Sequence, residues 1–529
     1  MKRIAGSILV LSLFVSVGSA AQYVRISASE FAQSPARVAA LKKAVKTMRA
    51  RDTASKTSAT YRTSWQYWAA THGYFGTGPN SSGSAAAFKA QAPSICAGLP
   101  PAQLTVCKSY YAHVVSLTLP NDGGITSKVW GTCQHSDAGP PNNNMQFFTW
   151  HRMYLKYYER VLRKASGDPN FTLPYWNYYD EMGPGGNGIA LPALVRGTTT
   201  ASLYDKFRTP GLNTNTNAID EAWASNEQAF DFNDFQNFSY ALEQQPHGMM
   251  HCGAGFGCQA PDMGIVPVAG LDPVFYMHHA NIDRLFQCWL VRKAHGAPIT
   301  LAWAKANLGM PQSWFDQRWF FVDENGASVS MTVAELFQPG GIDYTYEQTT
   351  DCVQPPPAAA PEAPMVEAVA APRRTAVSSG AISLRGKSQS VPLAPSTLEG
   401  PEPELPSAIH VEPGRSVLVI SGVEIEGNPA VTYNIYIARN DAPENRVYIA
   451  TLNYFNVLTK HHPGHAGVRG HDLLFYDVTS ELAKLGNPSE SEVAVTFEPS
   501  SGSNEAPNVT ASAGTVTVRS IRIQTAKAN

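Results

Sequence analysis

Two histidine-bearing segments restrict this chain more than any other feature. In PHGMMH, His247 and His251 stand four residues apart, so on a helix they share one face and can hold one metal ion. A zinc-protease site would need glutamate where Gly248 stands, which sets that reading aside. The next segment, LDPVFYMHHANIDRLFQCW, offers Asp272 as an N-cap and Pro273 for the first helical position, and predicts a helix running towards Lys293. On that helix His279 and Asp283 fall on one face, a ligand and a carboxylate able to orient it from behind. A third segment, FFTWHRMYLKYYERVLRKASG, has helical apolar spacing with His151, Leu155 and Glu159 on one stripe. Upstream, CQH carries Cys133 and His135, and THG carries His72. Any one of these could be an ordinary core histidine. Six imidazoles among aromatic and carboxylate neighbours point to a metal centre.

At 529 residues the chain is too long for one ordinary core, so two folded domains are expected. Lysine plus arginine number 40 against 42 aspartates and glutamates, a balance without the basic footprint of a nucleic-acid or anionic-membrane binder. Residues 1–21 read as a secretory signal: Lys2 and Arg3, an apolar run from Ile8 to Val17, then small residues up to Ala20 and Ala21. The run is shorter than the ~20 residues a spanning helix needs, and no later stretch reads as a membrane span, so an exported protein is expected. Export permits disulfides; with Cys133 set aside for the reason given below, six cysteines allow 15 pairings, of which proximity suggests Cys96–Cys107, Cys252–Cys258 and Cys288–Cys352. Residues 22–353 are rich in aromatics and helical patterns. Residues 354–407, with QPPPAAAPEAP and the pair Arg373-Arg374, read as a proline- and alanine-rich linker open to proteases. Residues 408–529 alternate with period two, as in SVLVISGVEI and TYNIYIAR, and predict a β-sandwich.

FxWHRxYLxxxE, PHGMMH and DPVFYMHHANIDR resemble the two copper signatures of the tyrosinase, catechol oxidase and molluscan haemocyanin family. LPYWNYYDE, at 173–181, resembles the family's run between the two sites, and Asp343-Tyr344-Thr345-Tyr346 the tyrosine motif closing its catalytic domain. The tail, with its GHAGVRG loop, is similar to the C-terminal domain of plant polyphenol oxidases. The resemblance implies a mainly α catalytic domain built on a four-helix bundle around two copper ions, followed by an all-β sandwich. It implies oxidation of o-diphenols to o-quinones by O2, with weaker hydroxylation of monophenols. An o-aminophenol oxidase and a haemocyanin-like O2 carrier are the alternatives; phenolic small molecules and O2 are the expected partners.

Carried over by position, His72, His135 and His151 would hold the first copper, and His247, His251 and His279 the second. Neutral nitrogen donors suit copper in both common oxidation states. Fifteen residues separate His135 from His151, more than the family's usual interval, which implies an insertion and leaves His113 as an alternative ligand. Cys133 matches members in which that cysteine forms a thioether to the ligand histidine, here His135; a plain buried thiol is the other reading. Glu243 stands where the family has a water-orienting glutamate, and Gly248 where an asparagine often accompanies it. Val266 aligns with a bulky residue that covers the second copper in some plant enzymes. The tail would act as a lid, with Tyr454 or Phe455 inserted at the copper entrance; His461, His462, His465 and His471 read as a solvated loop.

Overall fold

The histidine segments fold as helices, and what surrounds them explains why. A computed structural model of the protein describes residues 23–76, 78–82, 117–135, 145–256, 258, 262–350, 352, 375–378, 380–395, 414–426, 431–452, 455, 470–503 and 514–525. The leader at 1–21, Cys96, Cys107, His113, Arg373-Arg374, Tyr454, His461, His462 and His465 lie outside them.

Strand β1 (Tyr23–Arg25) is followed by helix α1 (Pro35–Ala50), which begins on the Ser34 cap with proline in its first turn. Helix α2 (Trp65–His72) starts where Ser64 Oγ accepts from Tyr67 N and ends on His72 itself. Helix α3 (Phe147–Ser166) is buried along almost its whole length and packs against α1. Its Trp150 stacks on Tyr154 at 4.9 Å, and Tyr158 stacks on Tyr276 at 3.7 Å. Rings of this size each contribute on the order of 2–3 kcal/mol on burial, so the stripe anchors the helix that bears His151. Helix α4 (Phe235–Leu242) runs into a wide π-type turn, Glu243–Gly248, in which Gln245 is extended, and then into α5 (Met249–Ala254). Helix α6 (Val274–Ala294) starts one residue later than the sequence suggests: Pro273 occupies the cap position. Asp272 still serves the start, accepting from Val274 N at 2.9 Å, while Arg208 grips its carboxylate at 2.6 and 2.8 Å.

A small hairpin, β2 (Arg318–Val322) with β3 (Ser328–Thr332), follows, and then β4 (Tyr344–Tyr346), which pairs in parallel with β1. The tyrosine motif thus closes the helical part onto the start of the chain. Below that joint lies a buried polar network. Asp283 accepts from Arg152 Nε at 2.5 Å, Tyr344 OH at 2.6 Å and Tyr346 OH at 2.7 Å, and Arg25 pairs with Glu159 at 2.7 Å.

The remaining strands form two facing sheets, the sandwich expected. One has the order β11 (Ala442–Thr451), β10 (Thr432–Arg439), β13 (Val493–Ser500), β7 (Gln389–Pro392). The other runs β12 (Gly470–Asp477), β9 (Ser416–Glu426), β14 (Thr515–Thr525), β5 (Thr375–Val377), β8 (Ala394–Pro395), with β6 (Ile382–Leu384) also on β14. This corrects the linker expected at 354–407: residues 375–377, 382–384, 389–392 and 394–395 are strands. The physical reason is that short outer strands need few apolar anchors, and Ile382, Leu384, Val391 and Leu393 are all buried.

The sandwich packs on the helical part through specific contacts. Gly502 passes so close to Trp223 that a β-carbon there would lie 2.0 Å from the indole ring. Tyr240 donates to Leu473 O at 3.0 Å and stacks on Phe475 at 5.1 Å. Gln245 Nε2 donates to Tyr448 OH at 3.0 Å, and Gln245 Oε1 accepts from Thr451 N at 3.1 Å. Among the described residues no helix is long and apolar enough to cross a membrane.

The buried network yields a direct expectation. Asp283→Ala leaves Arg152 without its carboxylate inside the core and is expected to cost about 3–5 kcal/mol of stability. Urea unfolding of the variant against the parent chain checks this; an unchanged midpoint would contradict it.

Candidate metal centre

The six sequence-selected histidines come from five separate stretches and meet in one buried cluster. His72 ends α2, His135 precedes α3, His151 lies one turn into α3, His247 and His251 span the π-type turn and α5, and His279 sits in α6. The rings of His72, His135 and His151 lie 5.6–5.9 Å apart, centre to centre. Those of His247, His251 and His279 lie 4.7–5.4 Å apart. The two sets touch: His151 stacks on His279 at 4.3 Å, and His135 lies 5.9 Å from His247.

Most of the rings have their Nδ1 tied down. His72 Nδ1 bonds to Val266 O at 2.8 Å, His151 to Phe147 O at 2.8 Å, His247 to Glu243 O at 3.0 Å and His251 to Met263 O at 2.8 Å. His135 Nδ1 bonds instead to a carboxylate oxygen of Glu243, at 3.0 Å. A carbonyl or carboxylate can only accept, so Nδ1 carries the proton and Nε2 is left as a bare lone pair. The Nε2 atoms face inward: those of His251 and His279 approach to 3.2 Å, and that of His247 is buried with no hydrogen-bond partner. Nitrogen atoms able to bind a metal lie within 4.8 Å of one another in the set His247, His251, His278 and His279, and in the set His72, His151 and His279. His72, Cys133 and His135 form a third such set. His279 is thus shared between the two halves.

Burial, and secondarily the neighbouring imidazoles, hold His151, His247, His251, His278 and His279 well below the ordinary histidine value. They are neutral at physiological pH, the form that binds metals. The donor set fits a pair of transition-metal ions of the kind imidazole prefers, and offers nothing for a hard cation that wants oxygen ligands. Cys133 is buried and takes part in neither disulfide of the described residues; its Sγ lies 3.3 Å from His135 Nε2 and 3.4 Å from His151 Nε2. Cys252–Cys258 and Cys288–Cys352 are bonded as expected.

One expectation changes. Asp283 does not reach an imidazole; Arg152 and the two tyrosines occupy its oxygens, because the face it shares with His279 turns toward α3 and β4 one helical turn on. Val266 meets the first set through its backbone carbonyl, which accepts from His72 Nδ1. Gly73 of the THG segment makes this approach possible, since a β-carbon there would stand 2.5 Å from Pro267 Cα. Glu243 turns its carboxylate onto His135, which makes it an anchor of the first set carried on the second set's turn. Gly248 is buried beside His247.

Sequence reasoning missed Phe147 and Phe275. Phe147 lies 4.7 Å from His247 and 4.8 Å from His151, and Phe275 lies 4.3 Å from His279 and 4.8 Å from His72. Their place four residues before His151 and His279, one turn back on the same face, was the available signal. Phe455, from the loop after β11, stacks on His251 at 4.2 Å and 15°, and meets His247 edge-on at 5.6 Å.

A helical core with a converging histidine cluster, met by a ring from the β-sandwich, defines the class: a two-part fold with a buried histidine cluster able to hold metal ions. Residues 62–202 and 196–292 match the common central domain of tyrosinase, so this part of the chain carries that domain. A tyrosinase from Hahella sp. (strain CCB-MM4) is 30% identical over 266 residues, 45% of this chain and 52% of its own. A latent-form chloroplastic polyphenol oxidase from Prunus armeniaca is 27% identical over 337 residues, covering 56% of this chain and 52% of its own. The chain therefore spans about half the length of these curated relatives. Among solved structures, a latent aurone synthase (polyphenol oxidase) superposes over 96% of this chain and 90% of its own, with a TM-score of 0.54 at 17% identity, a likeness of fold.

The lowered imidazole values fix a pH dependence for the metal-free chain. Below about pH 6.5 the unfolded chain takes up protons that the buried rings refuse, so stability is full above that range and falls as pH drops through it. Each such ring contributes a slope of up to about 1.4 kcal/mol per pH unit. Urea midpoints between pH 8 and 5 are expected to fall steeply below 6.5; a flat profile would contradict the assignment.

Proposed function

We propose that the protein is a type 3 copper oxidoreductase that oxidises o-diphenols to o-quinones with O2, with weaker o-hydroxylation of monophenols. The observation that supports it is the convergence of six buried imidazoles whose Nε2 atoms face one another in two adjoining sets. His72, His135 and His151 would hold one copper, and His247, His251 and His279 the other. A copper pair bound there supplies the electron exchange with O2; two diphenols and one O2 give two quinones and two waters.

The chain's own residues account for the rest. Glu243 keeps the Nδ1 proton of His135 in place and ties the two sets together, because its backbone carbonyl holds His247 while its carboxylate holds His135. Phe147 and Phe275 line the rings with apolar surface and exclude water. Cys133 Sγ lies 3.3 Å from His135 Nε2. A thioether to a ring carbon of His135 would replace that C–H and the thiol S–H by a C–S bond, with O2 as the two-electron oxidant, and would remove a reactive thiol from beside the metals. Gly248 leaves the position after His247 without a side-chain amide, and this supports the weaker monophenol activity. Val266 adds little bulk, leaving room for substituted rings.

The flat stacking of Phe455 on His251 is the arrangement a phenol ring would adopt, so the sandwich acts as a lid carrying a substrate mimic. The domain reading becomes a signal at residues 1–21, a catalytic domain at 22–353, a linker ending before Thr375 and a sandwich from there to 529. The leader supports export.

Copper-loaded protein is expected to carry two coppers per chain and to consume O2 with catechol faster than with o-aminophenol. His279→Ala should lose copper and turnover together. O2 bound without turnover would make the chain a carrier, and preference for o-aminophenol would reassign the substrate. Phe455→Ala, or proteolysis between the domains, should raise catechol turnover at least several-fold, with no further gain when combined. Unchanged turnover in both would remove the lid.

A further inference from the structure

The aromatic run at 173–181 takes no part in the set of rings described above, yet the chain builds it against the start of α6. Trp176 N donates to Met277 O at 2.9 Å, and the Trp176 ring meets Tyr178 edge-on at 5.1 Å. This puts the Tyr178 hydroxyl 2.8 Å from Nδ1 of His278, the seventh histidine of the cluster. Both side chains are fully buried. The His278 ring lies nearly parallel to His247, at 5.4 Å and 23°, and stands edge-to-face on His251, at 4.5 Å and 81°.

A single bond from Nδ1 to a carbonyl fixes one atom of an imidazole and leaves the ring free to rock about it. His247 and His251 are each held by one such bond, and a flat ring against one with its edge against the other removes that freedom. The Tyr178 hydroxyl and His278 Nδ1 share a hydrogen bond, with the phenol taken as its donor and Nδ1 as its acceptor. That assignment places the His278 proton on Nε2, so the ring has no lone pair to offer a metal.

We propose that Tyr178 and His278 are a positioning pair for the second copper site, setting the ring planes of His247 and His251 without binding the metal. This rests on the copper reading above. The same packing joins His278 to its neighbour His279, so one hydroxyl orients three ligands.

The test uses the copper-loaded full chain with Tyr178→Phe, His278→Ala and His278→Asn, the last keeping a polar atom near the place of Nδ1. Copper retention against a competing chelator is followed with the EPR signal of protein holding one Cu(II). Tyr178→Phe and His278→Ala are expected to weaken one copper of the two by about 10–100-fold and to alter its EPR hyperfine splitting, with His278→Asn restoring most of the loss. Equal weakening of both coppers, or full retention of both, would overturn the proposal. So would loss of a nitrogen neighbour from copper, by X-ray absorption, in His278→Ala but not in Tyr178→Phe, because His278 would then be a ligand. A parent chain that fails to bind two coppers refutes the copper reading itself, and this inference falls with it.

Discussion

The hydrogen bond from a histidine Nδ1 to a fixed acceptor is the interaction on which the rest of this structure depends. It selects the tautomer, aims Nε2, and works only where water cannot compete for either nitrogen. Each acceptor is backbone or buried carboxylate, so the helices and turns must be placed before the rings can be. That requirement explains the heavy aromatic packing of α3 and α6 and the buried Asp283 network one turn beyond His279. The network's arginines and tyrosines hold β1, α3, α6 and β4 together, and through them the helices that bear His151 and His279.

The two halves of the cluster are not independent. His279 lies within reach of donors from both, and Glu243 serves His247 with its carbonyl and His135 with its carboxylate. The sandwich enters the same circuit. Gln245 stands between Glu243 and His247 and is hydrogen-bonded to Tyr448 and Thr451 of β11, while Phe455 follows that strand onto His251. Contact with the histidine cluster and bracing of the turn that carries His247 are thus done by one stretch of chain.

Much of this was legible in the sequence, and the exceptions share a cause. Histidines four apart, a proline and aspartate opening α6, and the alternating strands are local signals, and the fold follows them. The partners of Asp283 are not local: Arg152 and the two tyrosines lie on other elements and outcompete any imidazole for its oxygens. The Val266 carbonyl on His72 bridges 194 residues, and the Glu243 carboxylate on His135 bridges 108, distances over which spacing carries no information. The strands between 375 and 395 were hidden by composition, since a short strand added to an existing sheet needs only one or two buried side chains. His278 was visible throughout but had no spacing to separate it from an ordinary core histidine; its role depends on Tyr178, 100 residues earlier.

Two metal ions sharing one cluster, rather than occupying separate sites, are the central requirement of the proposed chemistry. EPR of the oxidised, copper-loaded chain, with copper quantified on the same sample, addresses this directly. Two coppers per chain with almost no Cu(II) signal is the predicted result, because neighbouring ions pair their spins. Two coppers with full signal intensity would mean isolated ions and would contradict the shared centre.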